Sequence, residues 1–286
     1  MDESPRRRGL REPVTDLHPT DERTCPEGPA PPLAALLERT ALSVARRLAR
    51  GAGRCSLVAY REDPGRSHVA LAHGLCSTGE VAVALAGARP CGLGEGHPEV
   101  RLRVDQLSAH HELRAAMASL HALGRLRLVG PDEAAAMIVA HVLPPAVEAA
   151  AAAGARVALV ATERVLVHGP LGIDAYAPQQ LAGQGCFPTV EQEWAVVEVV
   201  ERRGEAWARA RVTEVLAGSR AGRRGDQRPL PEVVAHLAGR VLLADVDSAA
   251  LTWLVLDATS IRTVVLPFAE PVRTPGELEA ALDSLT

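Results

Sequence analysis

The chain contains no lysine and no asparagine in its 286 residues, so all 31 basic residues are arginine. Without lysine there is no Schiff-base amine and no phosphate-loop lysine. Without asparagine, any mechanism that needs a side-chain amide of that length is excluded. Isoleucine is scarce while Ala, Arg, Val and Leu abound, a pattern we read as the coding bias of a GC-rich bacterium. Aromatics make up only 2%. That argues against nucleic-acid readers that stack bases on aromatic platforms. A net charge of −4 gives no general attraction for phosphate backbones either. No nucleic-acid partner is expected.

Other absences concern motifs. The cysteines, Cys25, Cys55, Cys76, Cys91 and Cys186, are odd in number, widely spaced and never two residues apart. Zinc-knuckle spacing is absent, the count and spacing argue against a disulfide framework, and a reducing, cytoplasmic setting is expected. No apolar stretch follows Arg6-Arg7-Arg8, so no signal peptide is expected. The Ala-rich stretch Met137–Ala161 is broken by Pro144, Pro145, Glu148 and Arg156, too polar for a membrane span. There is no G-x-S-x-G and no H-E-x-x-H. His110 and His111 are adjacent and must diverge, so no protein metal site is expected. The glycines of Gly92-Leu93-Gly94-Glu95-Gly96 run into a strand rather than a helix, which suits a loop better than a dinucleotide turn.

Hydrophobic residues reach 47% and charged residues 23%, so a folded core is expected. Residues 1–32, rich in proline and mixed charge, read as a disordered tail. Leu33, Leu36, Leu37, Val44 and Leu48 recur at helical spacing, with Arg39, Arg46, Arg47 and Arg50 between them and Gly51 as a stop. Strands are expected at Cys55–Arg61, His68–Leu75, Glu80–Leu85, Val100–Leu107, Ala118–Val129, Arg156–Val160 and Arg164–His168. Gly79 provides the positive φ of a hairpin turn. Helical insertions fall between Asp132 and Ala153, broken at Pro144-Pro145. Alternating helices are lacking, so an antiparallel barrel over 33–170 is expected rather than a parallel sheet.

Residues 171–188 read as a linker and 189–286 as a small α+β module. In the module, Thr189 and Gln192 start a helix. Trp194, Val197, Val200, Trp207 and Val215 are expected on one helical face, and 218–231 is expected as an Arg/Gly-rich loop. Three strands follow at Val241–Val246, Leu251–Leu256 and Arg262–Phe268. A final helix is capped by Thr274-Pro275-Gly276-Glu277.

The segment from Val264 to Leu278 (strand, Pro267-Phe268, Pro271-Val272, Thr274-Pro275-Gly276-Glu277-Leu278, helix) resembles the close of a domain of unknown function. That domain is appended to FMN-binding split barrels of the pyridoxamine-phosphate-oxidase-like superfamily, including haem-utilisation relatives. The resemblance covers about residues 33–286. It implies an α+β fold, an antiparallel split β-barrel followed by a small α+β C-terminal module, and FMN or haem as cofactor. It also implies a homodimer, since such barrels usually place their cofactor at a subunit interface, or else an intrachain pairing in which the C-terminal module covers the same face. Flavin-binding members carry a Ser/Lys-rich segment with an Asn-Leu pair after the second or third strand; here that place holds Thr78-Gly79-Glu80-Val81-Ala82-Val83-Ala84-Leu85.

The residues nearest that role are Ser77, Thr78, Arg101 and Arg103. Arg101 and Arg103 lie two apart on one strand face, about 6–7 Å from each other, close enough to share an anion. Two functions remain open on the sequence. One is a flavin- or haem-associated protein, an oxidoreductase or haem handler. The other is a non-catalytic binding or regulatory protein that has lost the cofactor site. No catalytic residue is assigned.

Overall fold

The computed structural model of the chain describes residues 32–87, 93, 96–110, 113, 116–182 and 187–285. The tail, Cys25, Cys91, Cys186, His111 and most of the glycine loop lie outside these residues. Helix α1 (Leu33–Ala49) is amphipathic, as its apolar spacing predicts, and the chain leaves it through Gly51 at φ 113°. Five strands follow: β1 (Arg54–Val58), β2 (His68–Leu75), β3 (Val81–Leu85), β4 (Glu99–Leu107) and β5 (Ala116–Leu128). Gly79 turns the β2–β3 hairpin at φ 89°. Two short helices, α2 (Pro131–Val139) and α3 (Pro145–Ala152), interrupt the strand order before β6 (Arg156–Ala161), β7 (Val165–Gly169) and β8 (Gly172–Tyr176).

Every pairing among these strands is antiparallel. The order β4-β1-β2-β3-β6-β5 is closed by β4 pairing with β5, making a six-stranded barrel. Its interior takes the inward half of each alternating strand: Cys55 and Leu57, Val100, Leu102 and Val104, Leu120 and Ala122, Val165 and Val167. Leu48 and Val44 of α1 join the same core. β5 is long enough to change partners on one edge. Residues 119–122 pair with β7, and 125–128 pair with β6.

The C-terminal part begins with α4 (Pro178–Leu181), α5 (Glu193–Glu201) and α6 (Gly204–Ala217). Next come β9 (Arg223–Pro229), a 3-10 turn (Glu232–Leu237), β10 (Val241–Val246), β11 (Ala250–Leu256), β12 (Ser260–Pro267) and α7 (Pro275–Ser284). The second sheet has the order β10-β11-β12-β9. Helices α5–α7 pack Val196, Val212 and Leu278 on one face with Trp253 and Leu266. On the other face Leu242, Leu254 and Leu256 meet Val234, Leu237 and Leu113. Cover on both faces explains why β10 is buried at every position and is apolar except for Asp245. The architecture is mixed α+β, an antiparallel barrel followed by a small α+β module. Among the described residues no helix is long and apolar enough to cross a membrane.

Three details differ from expectation. The stretch 171–188 is not free of structure, because β8 pairs with β7 and α4 follows. The Arg/Gly-rich segment 218–231 contains β9, which pairs with β12. Its sequence, Arg-Arg-Gly-Asp-Gln-Arg-Pro, has no apolar alternation because an edge strand is held by its backbone and presents its side chains outward. Trp194 does not lie on the buried helical face: it is 78% exposed, and Val196, Val199 and Val200 are buried instead.

Candidate functional site

β9 and the outer wall of the barrel face each other across a cleft of about 810 Å3. Its barrel bank comes from β5 and the β7–β8 hairpin and includes Ser119, His168 and Ile173. Its floor is apolar, with Met117, Val234, Leu254 and Ile261. Its opposite bank is β9, with Arg223, Arg224, Asp226 and Arg228. All three arginines touch the cleft, but the register and a bond from Arg224 Nη1 to the Leu216 carbonyl turn the Arg224 guanidinium toward the helix side. Arg228 pairs with Ile261 and Arg223 with Val265, whereas Arg224 pairs with Val264, which is buried on the helix side. Gly225 lets β9 come close at one end: a Cβ there would lie 3.2 Å from Thr263 Cβ and 3.8 Å from the Pro170 carbonyl oxygen.

The barrel bank is built by strand alternation. Val165 and Val167 point into the core, so Leu166 and His168 point out. His168 stands opposite Ser119 on β5 and Ile173 on β8. One row across, His121 stands opposite Leu166 on β7 and Arg103 on β4. The His121 and His168 rings meet edge to face with centroids 5.1 Å apart, and His121 Nε2 and Ser119 Oγ share a hydrogen bond of 3.0 Å. Partial burial, then the neighbouring His168 and Arg103, lower the pKa of His121, so its ring stays neutral at neutral pH. The imidazole that lines the cleft itself is His168, a side chain whose ring nitrogens can ligate a metal when neutral. The opposite bank supplies forked guanidinium donors suited to carboxylates or phosphates.

Arg101 and Arg103 do share one outward face of β4, as their spacing predicts, and both are exposed. Arg103 is ion-paired with Asp105 at 2.8 Å and lies beside His121, one row from the cleft wall. Ser77 and Thr78 are not brought near them. They sit in the β2–β3 turn, and Ser77 lies eight residues beyond Val69, the β2 residue in the same cross-strand row as Arg103. At about 3.3 Å per residue that is roughly 25 Å of strand path. Thr78 Oγ1 bonds Glu80 at 3.4 Å. Cys76, next to that turn, is buried, and burial followed by Glu80 pushes its thiol up to about 11, which makes it a structural thiol.

His168, His121, Arg223 and Arg228 were not singled out in the sequence. His168 carried a signal, being a polar outward position between inward valines. The arginines of β9 carried none, because nothing local says that β9 is a strand. Among the described residues no three His, Cys, Asp or Glu side chains converge as a metal site.

Comparison with known proteins matches no family model and no curated protein. Solved structures do match. A heme binding protein from Mycobacterium smegmatis is 17% identical over 86% of this chain and 95% of its own, with a TM-score of 0.44. Protein Atu2129 from Agrobacterium tumefaciens, of unknown function, is 18% identical over 86% of this chain and 95% of its own, at a TM-score of 0.37. A pyridoxinephosphate oxidase family protein from Clostridium acetobutylicum, related to general stress protein 26 of B. subtilis, is 10% identical. It covers 53% of this chain and 99% of its own, at a TM-score of 0.30. Likenesses this distant transfer no ligand and no residue role to this chain.

Proposed function

We propose that the cleft between the barrel and β9 binds a flat, anionic organic cofactor, haem in the first place and FMN as the alternative. The observation that carries this reading is the arrangement of the cleft itself. An apolar floor suits the face of a large ring, His168 stands on one bank with His121 packed behind it, and Arg223 and Arg228, with Asp226 between them, stand on the other. Its volume falls within the range of cofactor sites, about 300–1,000 Å3. The donor set fits haem: an imidazole for the iron, guanidinium groups for the propionates, and aliphatic side chains for the porphyrin faces. FMN would use the same arginines for its phosphate. Arg101 and Arg103 lie outside the cleft lining, on the barrel face beyond His121, and enter this reading only as a second basic patch near it. Either group, when bound, supplies the redox chemistry; the chain holds it, orients it and screens it from water.

The same reading carries a homodimer. Val69, Leu71, Leu123, Leu166 and Ile173 are all exposed on the outer barrel wall around the histidines. A second copy covering that wall would close the open side of the cleft.

The test is the absorption spectrum of the protein purified from a host fed riboflavin and a haem precursor, followed by titration with hemin and FMN. A near-stoichiometric haem or flavin spectrum is expected, with sedimentation showing a dimer. A colourless protein that binds neither ligand contradicts the reading and leaves the non-catalytic alternative.

A further inference from the structure

The cofactor reading uses His168 and leaves the serine opposite it without a role. Ser119 of β5 is half-buried and lines the cleft. Two residues on, His121 projects from the same side of the strand. Its Nε2 lies 3.0 Å from Ser119 Oγ, inside hydrogen-bond reach. Ser119 borders the open space and His121 lies behind it, outside the lining. A hydroxyl nucleophile needs that order, with the reacting oxygen toward the substrate and the base at its back.

Neighbouring strands hold the pair in place. The His168 ring packs edge to face with the His121 ring, and His168 stands opposite Ser119 in the β5–β7 ladder. On the other side, β4 sets Arg103 opposite His121 and Asp105 opposite Ser119. Arg103 Nε holds the Asp105 carboxylate at 2.8 Å. The base bonded to the Ser119 hydroxyl is therefore the imidazole, not the carboxylate. With the ring proton on Nδ1, Nε2 accepts from the Ser119 O–H and is placed to take its proton. The rest of the cleft narrows the substrate. Met117, Leu254 and Ile261 offer apolar contact to a short carbon chain. Across from Ser119, three arginines against one aspartate leave the β9 bank positive, so an anionic group is favoured there.

We propose that Ser119 and His121 form a nucleophile–base pair that hydrolyses carboxylic esters whose acyl chain ends in an anionic group. Ser119 Oγ adds to the ester carbonyl carbon while His121 Nε2 takes the hydroxyl proton. That proton passes to the departing oxygen as the ester C–O bond breaks. The alcohol leaves, and the acyl group stays on Ser119. Water then adds to the acyl carbon and gives its proton to His121, which returns it to Ser119 Oγ as the free acid departs. Ester and water become acid and alcohol, with nothing oxidised or reduced. The activity shares the cleft with the proposed cofactor but takes no part of its chemistry from it.

The test mixes the full chain, purified without added riboflavin or haem precursor, with the 4-nitrophenyl monoester of glutaric acid, and with 4-nitrophenyl butyrate as the neutral ester. A stoichiometric burst of 4-nitrophenolate followed by slower turnover is expected. Mass spectrometry should find one glutaryl group, on the peptide that carries Ser119. The anionic ester should be preferred in kcat/KM by about tenfold, and Arg223→Gln/Arg228→Gln should bring that ratio toward one. Ser119→Ala should remove burst and label, whereas Ser119→Cys should keep the label as a thioester. His121→Gln should slow acylation by about a hundredfold. No release above the buffer rate overturns the proposal. So does a burst that survives in Ser119→Ala, or a glutaryl group found elsewhere in the chain. Hemin titration bears on the cofactor alone, so either reading can fail without the other.

Discussion

Arg47 sits on what the sequence presents as the polar side of α1, yet it is among the most buried side chains in the molecule. Burial alone would lower its pKa, but the carboxylates of Asp245, Glu193 and Asp247 more than offset that and raise it. The guanidinium therefore stays charged and ties the barrel to β10 and α5. Removing one partner of a buried ion pair typically costs about 3–5 kcal/mol, because the remaining charges lose their compensation. Arg47→Met should accordingly lower stability by about that much in urea unfolding. A loss under ~1 kcal/mol would show that the network contributes little.

Asp247 adds a pH dependence to the same cluster. Burial, then Asp245, pushes its carboxyl up to about 7, against about 3.9 in an unfolded chain. Between pH 4 and 7 the folded state keeps a proton that the unfolded state has released. Stability from this group is therefore present at low pH, falls as pH rises through that window, and levels off above 7. Asp247 Oδ1 accepts from the Ala249 and Ala250 N–H groups, a role that an asparagine oxygen can fill. Asp247→Asn should match wild type near pH 4 and exceed it at pH 8 by up to about 4 kcal/mol, at roughly 1.36 kcal/mol per pH unit. A variant less stable than wild type at pH 8 would contradict this assignment.

At the scale of elements, β5 carries the barrel's one change of partner between β7 and β6, and Gly124 lies between the two registers. A Cβ there would collide with the Ala161 carbonyl oxygen and lie 2.8 Å from Val160 Cγ1. Thr162 Oγ1 bonds the Leu123 carbonyl at the same corner, at 2.8 Å. Gly124→Ala should cost about 1–3 kcal/mol by overpacking, read as a fall in Tm. A neutral substitution would mean that the corner relaxes freely. At the other end of the chain, Thr274 Oγ1 accepts from the Glu277 N–H at 3.2 Å, and Glu277 Oε2 accepts from the Arg273 N–H at 2.7 Å. Thr274→Ala should cost about 1 kcal/mol.

These elements also show what the sequence discloses. The α7 cap, the Gly79 turn and the alternation of β4 rest on neighbours within a few residues, so they are legible there. Gly124 looked like any strand residue, since the need for it comes from Ala161, on another strand. β9 was hidden because its pairing with β12, rather than its own side chains, makes it a strand. Arg47 looked like a solvated face because its partners lie more than 140 residues away.

For the molecule as a whole, the proposed site depends on the barrel and the second sheet opposing each other. The barrel contributes His168 and Ser119, the module contributes Arg223 and Arg228, and neither half alone encloses the cleft. That is why the candidate site was only partly legible: Arg101 and Arg103 were visible on one strand, while the bank facing His168 depends on how two sheets meet. The most direct test is hemin titration followed by its absorption spectrum, in wild type, His168→Ala, Arg228→Ala and the Arg101→Ala/Arg103→Ala double variant. The cleft predicts stoichiometric binding by wild type and a changed iron spectrum with at least tenfold weaker binding in His168→Ala. It also predicts weaker binding in Arg228→Ala with the spectrum preserved, since charged hydrogen bonds contribute about 1.5–3 kcal/mol each, and a smaller loss in the double variant. A His168→Ala protein with the wild-type spectrum and affinity would contradict the account.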